Sequence, residues 1–565
     1  MTQTRTFLIF AWLMVATLLW MEWGKEKSAP PASATTTAQG QATTSTIPIS
    51  TVPGTTGATV STIPDVAAPT TPQTPVASVT PPAGGAAQRV TLSNDVLRLQ
   101  LDGGSVRDAE LLKYTQTTQP NSPPVRLLDD RTPGYFVAQS GWIAPGAAAP
   151  THESGFVPAQ PQRDIAMPGG KHEVSAAFVW NGPNGVSIRR TYTLKRNDYA
   201  VQVRDDVVNA GSAPWQGYIY RQLLRDPPPS KSGMTNPEAY SFTGAAWYSP
   251  EEKYEKRKYA KFADDALVDR KVTGGWISLL QHYFFAAWIP QKDQAALYST
   301  KTYGPHYAVE SKGPSFTVAP GTQASTQAQL WLGPKLQDRL DAVTPGLGLA
   351  LDYGIFTFLS KPLHWLLAFL HSFTHNWGWS IVLLVVLIKA ALFPLSSAQY
   401  KSTAKMRKFQ PRIAQLKERY GEDRQKFQTA MMELYKKEKI NPVGGCLPVL
   451  LQMPVFLALY WVLLESVELR QAPWILWIHD LTARDPYFIL PIINMAVTWA
   501  TQRLTPMVGV DPMQQKMMQF MPLVFGVLFA FFPAGLVLYW VTNGSLGLLQ
   551  QWWMTRRYAD APAKA

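Results

Sequence analysis

From Arg89 to about Leu340 the chain alternates apolar and polar residues with period two. Val186, Ile188, Arg190, Tyr192 and Leu194 share one parity, and Tyr199, Val201, Val203, Asp205 and Val207 share the next. Alternation puts each set on one face of a strand, so a half-buried hairpin is predicted, with Lys195-Arg-Asn-Asp198 as its turn. Val96 to Asp102, closed by Gly103-Gly104, reads as another strand. No long helical stretch separates these strands, which predicts an antiparallel β-sandwich over residues 87–345. About 250 residues is enough for one substantial core.

The period then changes. Leu359, Leu363, Leu366, Leu367, Leu370 and Phe373 recur at helical spacing, with Ser360, Lys361, His364 and His371 on the other side. This predicts an amphipathic helix over 355–373, lying in a membrane interface or packed on the sandwich, with His364 and His371 solvated. Five apolar runs follow: 376–395, Gly445 to Leu464, Pro486 to Leu504, Met517 to Pro533 and Ala534 to Met554. Each approaches the roughly 20 residues needed to cross a bilayer. Near the N-terminus, Phe7 to Trp23 is also apolar and ends in Trp20-Met-Glu-Trp23 rather than in small residues. A retained anchor over 1–23 is favoured over a cleaved signal peptide, although Ala32-Ser-Ala34 leaves cleavage open. The fold class is therefore a membrane α-helical bundle of six transmembrane helices, five of them forming a core, plus an extracytoplasmic sandwich.

Two segments join these parts. Residues 24–86 are Pro-, Thr- and Ala-rich and cannot bury enough surface to offset their ordering entropy, so they read as a flexible tether. A tether implies loose coupling between sandwich and membrane core. Within 396–442, Met406, Phe409, Ile413, Leu416 and Tyr420 recur at spacings of three and four, and Phe427, Met431 and Leu434 resume after Gly421. Two short seams joined by a tight turn predict an antiparallel helical hairpin whose first arm Pro411 bends.

Charge orients the chain. The net charge is +13, but much of the excess lies in Lys401 to Lys439, which should be cytoplasmic. Glu465 to Asp485 holds more acids than bases and should be outside; Arg503, Lys516, Arg556 and Arg557 fall inside again. The sandwich is then periplasmic, both termini are cytoplasmic, and 555–565 is a short tail. The basic hairpin is a solvated topology signal or a docking face for acidic partners such as ribosomal RNA or lipid head groups. No base-reading motif is present, which argues against sequence-specific nucleic-acid binding. The lone Cys446 excludes an intrachain disulfide framework. No P-loop, Ser/His/Asp arrangement or zinc spacing is found, so neither enzymatic chemistry, a metal nor a cofactor is expected.

The chemistry that remains lies inside the apolar runs. Lys389 is a cation within membrane-length hydrocarbon, which costs several kcal/mol. It faces a hydrated cavity or snorkels to the cytoplasmic end near Ser396, roughly 10 Å away. Gln452 lies in the next run, Asn494, Thr498 and Gln502 share one helix face, and Thr542, Asn543 and Ser545 interrupt the last run. These groups line one hydrated groove with Lys389 or simply hydrogen-bond between helices. Met453, Met495, Met517, Met518 and Met521 suit contact with varied apolar partners or fill gaps in the core. A transporter centred on Lys389 should show an internal repeat, and none is seen. A carbohydrate enzyme centred on the sandwich would need convergent carboxylates and His.

Asn441-Pro-Val-Gly-Gly-Cys-Leu-Pro448, Gln452-Met-Pro-Val-Phe-Leu-Ala-Leu-Tyr460, Ser466-Val-Glu-Leu-Arg-Gln-Ala-Pro473, Asp511-Pro-Met-Gln-Gln-Lys516 and Phe532-Pro-Ala-Gly-Leu-Val-Leu-Tyr539 closely resemble the YidC/Oxa family of membrane-protein insertases, in its Gram-negative form. The resemblance is dense from about Asp352 to Met554. It implies a five-helix core with a hydrophilic groove open to cytoplasm and lipid, and an energy-independent insertase and chaperone of the bacterial inner membrane. It implies nascent membrane proteins and the lipid bilayer as partners, action alone or beside the SecYEG translocon, and contact of a sugar-mutarotase-like sandwich with SecDF. The family's groove cation is commonly Arg, and Lys389 stands at the matching position. The family's substrate-contacting positions match Gln452, Met453, Phe456 and Trp540. The short tail puts in doubt the ribosome docking that longer basic tails serve, leaving the hairpin as a weak ribosome contact.

Overall fold

The computed structural model describes residues 62–64, 89–153, 155–228, 241–262, 267–397, 399, 409–421, 423–438, 447–504 and 512–559. The anchor at 1–23, most of the tether, Met406, Cys446 and the end of the tail lie outside the described residues.

The period-two region folds into two packed sheets of ten and nine strands. Pairing is antiparallel except at one edge, where Val90–Ser93 runs parallel to Asp164–Ala166. The expected hairpin is Val186–Lys195 against Ala200–Asn209, with Arg190 directly opposite Asp205. Parity alone turned both charges inward, and the fold satisfies them there. Arg190 donates through Nε and Nη2 to the two Asp205 oxygens, each at 2.7 Å. Trp142 Nε1 donates to the same carboxylate at 2.8 Å, and Arg190 Nη1 donates to Ser140 O at 2.7 Å. Such pairing is what makes a buried ion pair tolerable. Elsewhere in the sandwich Trp247, Trp276, Trp288 and Trp331 are fully buried. Gly103 follows the strand Leu97–Leu101 with φ of 92°, a conformation strained for any residue with a Cβ.

Nine helices carry the rest of the described chain. Helix α1 (Gln337–Val343) closes the sandwich. Then come α2 (Thr357–Thr374), α3 (Trp377–Ala391), α4 (Gln410–Tyr420), α5 (Arg424–Lys437), α6 (Leu447–Glu465), α7 (Ile489–Leu504), α8 (Pro512–Phe529) and α9 (Ala534–Ala559). Asn376 starts α3 by accepting from Trp379 N at 3.1 Å. Helix α3 packs on α2 and α9, α6 packs on α2, and α7 packs on both α8 and α9. Among the described residues, no helix is long and apolar enough to cross a membrane. The 15 residues of α3 span roughly 22 Å against a hydrocarbon thickness of about 30 Å.

Helix α2 is amphipathic with a different buried face from the one expected. Ser360, Leu363, His364, Leu367 and Leu370 are buried, while Phe358, Trp365, Phe369 and Phe373 are exposed. Ser360 Oγ donates to Ala458 O at 3.1 Å, so a small residue lets α2 approach α6 closely. His364 is therefore not solvated; its Nε2 lies 3.7 Å from the Glu468 carboxylate. His371 stacks on Trp377 at 4.0 Å between ring centres.

In α4 and α5, Ile413 and Tyr435 are buried among Phe409, Phe427, Met431 and Leu434. Leu416 is only half-buried. Pro411 sits in the first turn of α4, where its missing N–H leaves nothing unpaired, so it does not bend the described helix.

The sandwich is not held by a tether alone. His282 Nε2 lies 2.9 Å from Leu464 O at the end of α6, and Lys335 Nζ lies 3.5 Å from Glu465 Oε2 with both side chains buried. Burial pulls the Lys335 ammonium down, opposed by the Glu465 charge. Arg470 Nη2 and Gln471 Nε2 both donate to Thr115 O, at 2.8 and 3.1 Å. Val467 belongs to the sandwich's own core. The expectation of loose coupling is corrected by this buried joint.

Candidate hydrophilic groove

Packing within the helices is uneven along their length. At the end nearest the sandwich, Ile381, Leu384 and Val385 of α3, Ala458, Leu459 and Val462 of α6, and Ala534 to Tyr539 of α9 are buried together. At the other end Met453, Phe393, Leu549, Trp552 and Trp553 are exposed. A packed apolar cluster thus fills the sandwich end, while several large apolar side chains of α3, α6 and α9 are exposed toward the hairpin end. The polar residues sit toward the hairpin end.

Two polar clusters lie there, and α9 presents both. Gln452 Nε2 of α6 donates to Asn543 Oδ1 of α9 at 2.6 Å. Phe456 stands 4.8 Å from the Trp540 ring, which is also 5.4 Å from Phe529. Gln452, Phe456, Trp540 and Asn543 thus share the α6–α9 seam, while Met453 beside Gln452 is exposed. Lys389 lies on the α3–α9 side, in a pocket of about 380 Å³ walled by Phe393, Leu546, Leu549, Trp552 and Trp553. Its Nζ lies close against Gly547, where a Cβ would be 3.6 Å away. Gln550 lines the same pocket, and its buried Nε2 has no hydrogen-bond partner. Among the described residues, no carboxylate lies within ion-pair distance of Lys389.

Asn543, Gly547 and Gln550 fall at i, i+4 and i+7, so they form one stripe of α9 about 10 Å long. That stripe links Gln452 at one end to Lys389 at the other. Sequence reading missed Gln550; its spacing from Asn543 was the available signal. Asn494, Thr498 and Gln502 do share a face of α7, but none of them lines the Lys389 pocket. The Thr498 hydroxyl donates at 2.8 Å to the Asn494 carbonyl of its own helix. Asn494 is buried, Gln502 and Thr542 half-buried. A Cβ on Gly544 would stand 3.0 Å from Val497, so α7 and α9 approach closely at that level.

The arrangement holds polar groups and a cation in an apolar setting. Residues 369–561 match the family described as 60Kd inner membrane protein, and residues 89–366 match the YidC periplasmic domain. The class is thus an inner membrane protein with a periplasmic domain built from two β-sheets. Proteins named membrane protein insertase YidC are similar over the whole chain: 56% identical in Xanthomonas campestris pv. campestris, 57% in Xanthomonas euvesicatoria and 55% in Stenotrophomonas maltophilia. Each alignment covers 100% of this chain and 98–99% of the relative. A crystal structure of an active YidC insertase with its first transmembrane domain resolved aligns with a TM-score of 0.38 at 19% identity, covering 82% of this chain and 92% of that one. The chain belongs to the YidC family of membrane protein insertases.

Proposed function

We propose that this chain inserts and folds nascent membrane proteins through the groove along α9, as a non-enzymatic chaperone. The observation that carries the reading is the single stripe from the Gln452–Asn543 hydrogen bond to the Lys389 pocket. A substrate segment enters laterally between α3 and α6 from the hairpin end. Its polar flank is held by Lys389, Gln550, Gln452 and Asn543, which lowers the cost of placing that flank at mid-membrane. Its apolar part contacts Met453, Phe456 and Trp540, then partitions into lipid at about 0.8 kcal/mol per buried CH₂. The packed sandwich end prevents a continuous aqueous path.

The topology that fits is multi-pass, with the anchor at 1–23, α3 and α6 to α9 in the membrane, the α4–α5 hairpin and both termini cytoplasmic, and the sandwich periplasmic. The SecYEG translocon, SecDF at the sandwich and the ribosome at the hairpin are partners consistent with this arrangement. The test is a photoreactive residue at Phe456, with ribosome-bound nascent chains stalled at increasing length. Crosslinks should appear once an apolar segment clears the ribosome. Equal labelling of soluble nascent chains, or none of membrane ones, would sink the reading.

A further inference from the structure

The ten-stranded sheet has an outer face that is not bare. On its strand Trp215–Arg225, Ile219 and Leu223 belong to the main core, so Tyr220, Gln222 and Leu224 point the other way. Register places Gln139, Gln222, Glu310 and Ser299 in one row across that outer face. All four are buried. Polar side chains on an outward face are ordinarily solvated, so something covers them.

Part of the cover is Thr62-Ile63-Pro64, a piece of the segment read from sequence as tether. Thr62 is held at three atoms. Its N–H donates to Glu153 Oε1 at 3.2 Å, its Oγ1 lies 2.8 Å from His152 Nε2, and its carbonyl accepts from Gln222 Nε2 at 3.0 Å. The receiving side chains are themselves fixed. Gln222 Nε2 also donates to Gln139 Oε1 at 2.7 Å, and His152 Nδ1 lies 2.7 Å from the Tyr220 hydroxyl. Pro64 is buried. Such a site reads a hydroxyl residue two before a proline, whose fixed φ keeps the segment extended.

The docked sequence recurs. Ser61-Thr-Ile-Pro64 is repeated as Ser45-Thr-Ile-Pro48, and Ser50-Thr-Val-Pro53 differs by one methylene. We propose that the groove beside His152 and Gln222 is a binding site for Ser-Thr-(Ile/Val)-Pro segments, with Thr62–Pro64 as resident ligand and the two upstream copies as alternatives. Copies on one chain compete at high effective concentration, so losing one is buffered by the others. Exchange moves the docking point by 11 or 16 residues toward the N-terminus. That changes the free length between the first apolar run and the sandwich by at most about 38 or 55 Å. The segment is then a strap with three settings.

The test is hydrogen exchange on the full chain in lipid nanodiscs. In the parent, residues 61–64 should exchange at least tenfold more slowly than 45–48 and 50–53. Gln222→Leu should abolish that difference while the sandwich strands stay protected. With 61–64 replaced by glycines, protection should move to 45–48 or 50–53. With all three copies replaced, a synthetic peptide spanning residues 58–67 should bind at least tenfold more tightly than it binds the parent, and its Thr→Ala version should not. Unprotected 61–64 in the parent overturns the docking. Protection that fails to move, together with no gain in peptide binding, overturns the recognition of the repeat.

Discussion

The sandwich buries charge and the helical bundle half-buries it, and they treat it differently. Inside the sandwich Arg190 meets Asp205 through two parallel hydrogen bonds, with Trp142 and backbone carbonyls taking the remaining positions. Arg221 beside them is less well served: burial pulls it down to about 10 against the opposing Asp205 charge, and its buried Nε has no hydrogen-bond partner. In the bundle Lys389 sits against Gly547 and an unpartnered Gln550 amide, within apolar walls. A charge neutralised at home is architecture. A charge left with open hydrogen-bonding capacity is available to a guest. The contrast teaches that burial alone does not mark function; unspent pairing that lines an open pocket does.

Four substitutions would break or sharpen this contrast. The largest effect is expected at the satisfied pair. Asp205→Ala strands Arg190 in the core and should cost about 3–5 kcal/mol, whereas replacing both by Met and Leu should cost far less. Urea unfolding followed by the sandwich tryptophans reads this, and equal losses for single and double variants would contradict it. Next, Lys389→Glu should reduce insertion of substrates with acidic periplasmic tails more than tenfold, while Lys389→Arg retains it and Lys389→Ala falls between. Protease protection of substrates differing only in tail charge is the readout. Indifference to all three changes would leave Lys389 as a snorkelling residue. Third, Ile413→Asp places a charge in the α4–α5 seam and should loosen the hairpin by about 2–3 kcal/mol. Loss of crosslinking between cysteines on the two arms would register it. The smallest effect is expected at Gln452→Leu, which removes one interhelical hydrogen bond of about 0.6 kcal/mol. Insertion should drop roughly threefold, and only for substrates with polar flanks; a uniform loss would mean that Gln452 holds the bundle together instead.

The pH dependence of the sandwich carries a further sign. Burial pushes His152 down to about 3 from its usual 6.5. The unfolded chain takes up the proton first as pH falls, so His152 stabilises the fold above about 6.5 and loses that contribution on the way down. Unfolding midpoints of the parent should therefore decline below pH 6.5 more steeply than those of His152→Gln.

Local periodicity carried much of the fold. The Arg190 and Asp205 parities were legible because each is set by its own strand, and the seam of Ile413 with Phe427, Met431 and Leu434 because each arm repeats on itself. What escaped depended on distant partners. His364 looked solvated because Glu468 and the α6 backbone lie some hundred residues away in sequence. Lys389 and Gln452 were legible as candidates, since polar groups stand out in apolar runs. That α9 joins them while Thr498 turns to its own helix depended on which faces meet, and helix packing is not written in composition. The docking of Thr62–Pro64 was hidden because a Pro/Thr-rich stretch lacks the apolar content that signals order.

The joint at Leu464 has a thermodynamic corollary. The last carbonyls of a helix lack internal partners, and here a sandwich histidine approaches one of them while the Lys335 ammonium stands at the negative end of the helix dipole. The sandwich is in effect the C-terminal cap of the helix that carries Gln452. Tilting or fraying that helix would break these cap contacts, and whatever that coupling amounts to is the same when read from the sandwich side. On the function proposed above, the outer domain is in contact with the helix that carries Gln452 and so feels a change at that helix without touching the guest.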